Sequence, residues 1–310
     1  MTTATHALSL PGRGGVAVTG NEDRWARWLL GTRHGGDAAL RERMLADTLY
    51  PWRDEILDRA RLAPGDTLLD VGCGDGLVAF GALDRLGPSG HVIFSDISPD
   101  LLDHCRTAAA AEGVLDRCTF VQSPADSLAG IADGSADVVT TRSVLIYVKD
   151  KAAALREFYR VLRPGGRVSL FEPVNRLMRD QHGRFSGYDV RGVEEVVAKV
   201  RAVYEAIQPP DSDPMLNFDE RDLVRHAEHA GFPEISLDLR WRIRATARPV
   251  SWDTFLRASG NPLIPPLGDV LDQALTVAER AAFTAALRPQ VESGRGQDRM
   301  VVAFLTAVKD

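Results

Sequence analysis

Lysine is nearly missing from this chain: it occurs only at positions 149, 151, 199 and 309, among 37 basic residues in all. Arginine supplies the rest, so arginine abundance alone argues for little. Cysteine is almost as rare, with Cys73, Cys105 and Cys118. An odd number at spacings that fit no disulfide framework and no zinc ribbon reads as reduced thiols. No apolar run reaches the roughly 20 residues that span a bilayer. The richest, Met300 to Val308, is short and bounded by Arg299 and Lys309. Met1 to Gly20 shows no basic start followed by an apolar block of signal-peptide length, and a cytoplasmic location is expected. A basic surplus is missing too, since 37 basic residues stand against 43 acidic ones for a net charge of −6. Without a global positive field, nucleic acid is not the expected substrate.

What is present is the mix of a packed globule, 45% hydrophobic and 26% charged over 310 residues. That is enough for one large α/β domain with insertions. Residues 1–20, rich in Gly and Thr without periodicity, are expected as a disordered tail. Residues 21–62 read as helical, with Trp25, Trp28 and Leu29 on one face and a Gly35-Gly36 break behind them. From 63 to 172, short β-branched runs alternate with helical stretches. Strands are expected at 67–71, 91–95, 119–122, 137–141 and 166–171, and helices at 77–86, 99–111 and 151–162. Strands separated by helices imply crossovers, and so a parallel sheet with helices on both faces. Residues 173–218 form a cover insertion whose one helix, 193–207, ends at Pro209-Pro210. Residues 219–310 add a helix at 220–230, a strand at 234–244, a helical insertion over 249–297 and a last apolar run, 299–308.

The sharpest local signal is Leu68-Leu69-Asp70-Val71-Gly72-Cys73-Gly74-Asp75-Gly76, an apolar strand that runs into glycines and then into an amphipathic helix. Glycines there let a ligand lie against the backbone, and the amides at the helix start favour electron-rich groups. The dinucleotide fingerprint fails, because its sixth place holds Leu77, and no Gly-Lys-Ser/Thr follows for a phosphate loop. The stretch resembles the first motif of the class I S-adenosylmethionine-dependent methyltransferases, acidic-x-Gly-x-Gly-x-Gly. Three further motifs follow in the family's order. The second strand ends at Asp96, Ser123-Pro124-Ala125-Asp126 follows the third, and Phe158 to Gly166 resembles the helix and turn before the fifth. The closest flavour is the branch with the ubiquinone and menaquinone C-methyltransferases.

That resemblance implies a doubly wound seven-stranded, mostly parallel sheet with a helical cover, whose last strand inserts antiparallel. It implies S-adenosylmethionine as cofactor, with Asp70, Gly72, Gly74 and Gly76 around its methionine part. Asp96 would take both ribose hydroxyls, as the two oxygens of a carboxylate suit a vicinal diol. Ile97 would lie against the adenine, Ala125 and Asp126 near its amino group, and Arg142 and Ser143 after the fourth strand. Each residue also has a plain alternative: Asp70, Asp96 and Asp126 as helix caps, and Cys73 as a small residue between glycines.

The acceptor is expected to be a small molecule, since 141–145 lacks the Asn/Asp-Pro-Pro-aromatic stretch of nucleic-acid amino methylases. Specialised metabolism is the expected setting. Glu172 and Tyr147, at the carboxyl ends of strands five and four, and His182 in the insertion are the candidate catalytic residues. Trp25, Trp28, Tyr50 and Tyr188 are expected as apolar walls, and Arg24, Arg33, Arg142 and Arg176 are available to an acidic acceptor. Residues 22–62 and 173–216 together are expected to act as a mobile lid. No cluster with metal-ligand spacing stands out, so metal-independent transfer is expected. The alternative is a module that senses S-adenosylmethionine or another nucleoside without turnover.

Overall fold

The computed structural model describes residues 23–178 and 183–310. The expected tail at 1–20 and the candidate His182 lie outside the described residues. Helices α1 (Arg24–Leu30), α2 (Ala38–Met44) and α3 (Tyr50–Ala60) lead into β1 (Thr67–Val71), α4 (Leu77–Leu86), β2 (His91–Asp96) and α5 (Pro99–Ala111). Then come β3 (Cys118–Gln122), β4 (Ala136–Arg142), α6 (Lys151–Val161) and β5 (Leu162–Pro173). A two-residue-per-strand hairpin, β6 (Arg184–Phe185) and β7 (Tyr188–Asp189), precedes α7 (Glu194–Ile207) and α8 (Glu220–Ala230). The chain continues through β8 (Glu234–Arg244), α9 (Trp252–Arg257), α10 (Leu267–Ala274), α11 (Val277–Ser293) and β9 (Asp298–Val308).

The main sheet has seven strands in the order β3-β2-β1-β4-β5-β9-β8. β1 to β5 run parallel, β9 lies antiparallel to β5, and β8 antiparallel to β9. The order reverses between β1 and β4, and the crevice beyond the carboxyl ends of strands at such a point is where open α/β sheets bind ligands. β1 and β4 are buried on both faces, which is why apolar residues stand side by side in them, Leu68-Leu69 and Val138-Val139, instead of alternating with polar ones. One core lies between the sheet and α6 and α8, with Leu69, Val139, Leu155 and Phe158. A second lies between the sheet and α3, α4 and α5, with Leu68, Leu83, Phe94 and Phe304.

A third core is separate from the sheet. Val197 and Val200 of α7 and Tyr188 pack with Trp252, Leu271 and Phe283 of the later insertion. The two C-terminal insertions therefore bury each other's apolar faces. Tyr188 is 4% exposed in this core, with its ring edge-on to Phe255, and is not a cavity wall as expected. β5 also starts earlier than the expected residue 166. Leu162 pairs with Ala136 across an irregular register, and Arg163-Pro164-Gly165 is absorbed into the strand.

Candidate active site

A cavity of about 290 Å³ opens at the carboxyl ends of β1, β2 and β4. It gathers Asp70, Gly72, Gly74, Asp96, Ile97, Ala125, Asp126, Arg142, Ser143 and Tyr147 from the sequence-derived candidates. At Gly72 (φ +64°) a Cβ would stand 2.4 Å from Val144 Cγ2, so the close approach of the loop after β4 requires glycine. Gly74 (φ +57°) lies under Leu29, whose Cδ2 would be 2.9 Å from an added Cβ. Gly76 is not part of the lining. Its φ of +81° turns the chain into α4, and an added Cβ would meet the Phe80 ring at 2.4 Å.

Asp96 Oδ2 accepts from Gly74 N (2.9 Å) and Oδ1 from Ser98 N (2.9 Å). Each carboxylate oxygen has a second lone-pair direction, so both can still accept a hydroxyl. Burial raises the Asp96 pKa above its usual value. The helix-cap alternative does not describe Asp96: Ser98 caps α5 through its own side chain. Asp70 is tied in more deeply. Its Oδ1 accepts from Thr140 Oγ1 (2.9 Å) and its Oδ2 from Ala79 N (3.2 Å), so it bonds an amide of the first turn of α4 while lining the cavity. Burial pushes its carboxyl up to about 7. Asp126 is half-buried in a turn, not at the start of a helix, so it caps none there. Cys73 is buried beside Cys105, and that burial holds its thiol well above the usual range, which argues against a reactive thiol.

Glu172 stands elsewhere than expected. It is fully buried and absent from the lining, with Oε1 accepting from Val144 N and Leu145 N (both 2.9 Å) and Thr141 Oγ1 (3.3 Å). Its Oε2 accepts from Ile146 N (3.2 Å). Four donors occupy it, so the structure makes it the anchor of the loop after β4, not a base that reaches substrate. That loop carries strain: Ser143 has φ +57°, rare for a residue with a side chain, and Ser143 N donates to Phe171 O at 2.8 Å. Burial pushes Glu172 up to about 7. Tyr147, on the same loop, does line the cavity, and burial lifts its phenol to about 12. It is therefore a hydrogen-bond donor at neutral pH and not a proton acceptor.

The cavity's roof is the N-terminal segment alone. Trp25, Trp28, Leu29 and Arg33 line it, while no described residue of 173–216 does. Trp25 meets Tyr147 edge-on at 5.0 Å, and Trp28 Nε1 donates to Ser259 O at 2.9 Å. The insertion after β8 buttresses this roof further, with Ser259 N donating to Thr32 O and Arg257 Nε to Gly35 O. Tyr50, expected as a wall, packs behind the roof against Leu45, Leu49 and Leu77 and carries Arg53 on its ring. Arg24 and Arg176 are exposed and outside the lining. Sequence reasoning gave no site role to Leu29, Val148 or Lys149, although Leu29 shares a helical face with Trp25 and Trp28, the signal that marks it. Among the described residues, no helix is long and apolar enough to cross a membrane, and no group of three His, Cys, Asp or Glu is placed to hold a metal.

Residues 69–170 match the family described as a methyltransferase domain. A ubiquinone/menaquinone biosynthesis C-methyltransferase of Shewanella frigidimarina is 28% identical over 187 residues, 59% of this chain and 73% of that protein. An arsenite methyltransferase of Halobacterium salinarum is 36% identical over 115 residues, 37% of this chain and 29% of that protein. The structure of geranyl diphosphate C-methyltransferase from Streptomyces coelicolor A3(2), in complex with Mg2+, geranyl diphosphate and S-adenosyl-L-homocysteine, shares the fold. Its TM-score is 0.50 at 16% identity, over 89% of this chain and 87% of that one. With the sheet order, the glycine loop and the acidic end of β2 already in place, the match identifies a methyltransferase domain at residues 69–170, in a chain similar to the class I S-adenosylmethionine-dependent methyltransferases and among them to the quinone C-methyltransferases.

Proposed function

We propose that the chain transfers a methyl group to a small organic acceptor of specialised metabolism, in the cytoplasm and without a metal ion. The observation that supports this reading is that one cavity is lined both by Asp96, Ile97 and Asp126 and by an aromatic roof. Bound S-adenosylmethionine supplies an electrophilic methyl on a sulfonium that is already a good leaving group. The chain's own residues have the simpler task of binding and orienting. Asp96 would hold the ribose, Asp126 and Ala125 the adenine edge, Ile97 its face, and Gly72 and Gly74 the backbone path of the amino-acid part. Trp25, Trp28 and Tyr147 would wall the acceptor off from water, with the Tyr147 hydroxyl donating a hydrogen bond to it. Because orientation suffices, no Lewis acid is needed in this scheme.

A sensor that only binds the cofactor needs no room for an acceptor, and Tyr147, Val148 and Lys149 add lining beyond the residues proposed for the cofactor. The test is incubation with methyl-labelled cofactor and fractionated bacterial small-molecule extracts, read by mass spectrometry. A labelled product with the mass gain of one methyl group, formed equally with chelator present, is the expected result. Binding of the cofactor with no labelled product from any fraction would favour the sensor. A requirement for magnesium would overturn the metal-independent part alone.

A further inference from the structure

Two guanidiniums line the cavity, Arg33 and Arg142. Arg33 belongs to the turn Thr32–His34 after α1, on the roof, and Arg142 ends β4, on the floor. Among the described residues neither has a carboxylate within ion-pair distance. Of the carboxylates nearby, three are engaged with other groups. Asp75 is bridged to Arg41 at 3.6 Å, Asp70 accepts from Thr140 and Ala79, and Asp96 accepts from Gly74 and Ser98. Arg33 rests over the Trp28 ring, 5.1 Å from its centroid. Burial first, and then the Arg142 charge, pull Arg33 down to about 10, which leaves it charged at neutral pH.

We propose that Arg33 and Arg142 together bind an oxyanion, a carboxylate or phosphate group, carried by the methyl acceptor. This rests on the methyl-transfer reading above. S-adenosylmethionine has a zwitterionic amino-acid end and a sulfonium, so it enters the cavity with a net positive charge. The lining also holds Lys149 and the carboxyls of Asp70, Asp96 and Asp126. Burial raises the pKa of Asp70 and Asp96 and so weakens their neutralising effect. The two guanidiniums and the sulfonium stand as like charges in a partly buried site, where they repel more than in water. An anionic acceptor removes the conflict. The planar fork of each guanidinium suits a group with two or three equivalent oxygens, which a lysine pair would hold with less directional precision. Because one arginine sits on the roof and the other on the floor, the same anion would also draw the roof down onto the loop after β4.

The other source of the oxyanion is the cofactor's own carboxylate, and calorimetry separates the two. The wild type, R33Q and R142Q are titrated with S-adenosylhomocysteine, and with 5′-methylthioadenosine, which lacks the amino-acid part. Benzoate and inorganic pyrophosphate are then titrated into protein saturated with S-adenosylhomocysteine. The expected result is that the saturated wild type binds at least one anion probe, that chloride competes with it, and that each substitution weakens the probe by about tenfold or more. Affinity of R33Q for S-adenosylhomocysteine should change by less than about threefold, and R33K should recover part of the probe affinity, which also controls for folding. The proposal is overturned if neither probe binds the saturated wild type, or if probe binding ignores both substitutions and chloride. It is equally overturned if the variants lose S-adenosylhomocysteine but keep methylthioadenosine, which assigns the anion to the cofactor. A wild type that binds no S-adenosylhomocysteine sinks the underlying reading instead.

Discussion

Asp96 has two oxygens already bonded to the backbone amides of Gly74 and Ser98, so its loss loosens the glycine loop and, under the proposed ribose role, also removes a ligand contact. A hydrogen bond to a charged acceptor contributes about 1.5–3 kcal/mol, so Asp96→Ala should weaken S-adenosylhomocysteine roughly ten- to a hundredfold in calorimetric titration. Unchanged affinity in a folded variant would remove Asp96 from the site. Glu172 tests differently, because a base and an anchor leave different traces. Glu172→Gln turns an NH₂ toward amides that are themselves donors, and an unsatisfied buried donor costs about 1–3 kcal/mol. The anchor role predicts a lower melting temperature together with slower turnover, whereas a base would lower turnover and leave melting alone. Residue types carried much of the cavity lining in advance. Asp96 closes an apolar strand, and the glycines sit between a strand and a helix, so position along the chain was enough. Glu172 was legible only as an acid at a strand end, since its task depends on which amides of 144–146 face it, and no sequence pattern reports that.

At the level of elements, β1, β2 and β4 were readable because each is a short apolar or β-branched run that closes at Gly72, Asp96 or Arg142 and is followed by a helix of 3.6-residue periodicity. The cover was less readable. α7 and the 251–293 segment are about 50 residues apart in sequence, and their apolar faces make sense only once they meet. That pairing changes the expected lid. The N-terminal helices roof the cavity, while 183–207 belongs to a different core. Hydrogen exchange should therefore show added protection in α1 when S-adenosylhomocysteine binds, and none in α7. Protection in α7 without α1 would reverse the assignment. The roof is held by Trp28 Nε1 on Ser259 O, so Trp28→Phe, which keeps the apolar bulk and removes the donor, should speed exchange in α1. Its cost in global stability should stay near 1 kcal/mol, the usual worth of one such bond.

Across the whole molecule, Asp70 and Glu172 are two buried carboxyls with pKa values near 7, each raised by burial. The native state therefore holds protons that the unfolded chain has already released. Their stability contribution is fully present below the ordinary carboxyl range and is lost as pH rises towards and through about 7. Activity should run the other way, because the ionised Glu172 is the form that accepts from the amides of the loop after β4. Melting temperature falling from pH 5 to 8 while turnover rises is the expected pair of curves, to be measured in the same buffers. Parallel curves would refute the link. The sheet's order has a separate consequence for synthesis. β9 follows every other strand in the chain, yet it lies between β5 and β8, with Val301, Ala303, Phe304 and Leu305 fully buried. Until it leaves the ribosome, β5 presents an open apolar edge and β8 has no partner in the sheet. A nascent chain halted at residue 297 should thus bind a holdase chaperone and resist refolding, however complete its glycine loop already is.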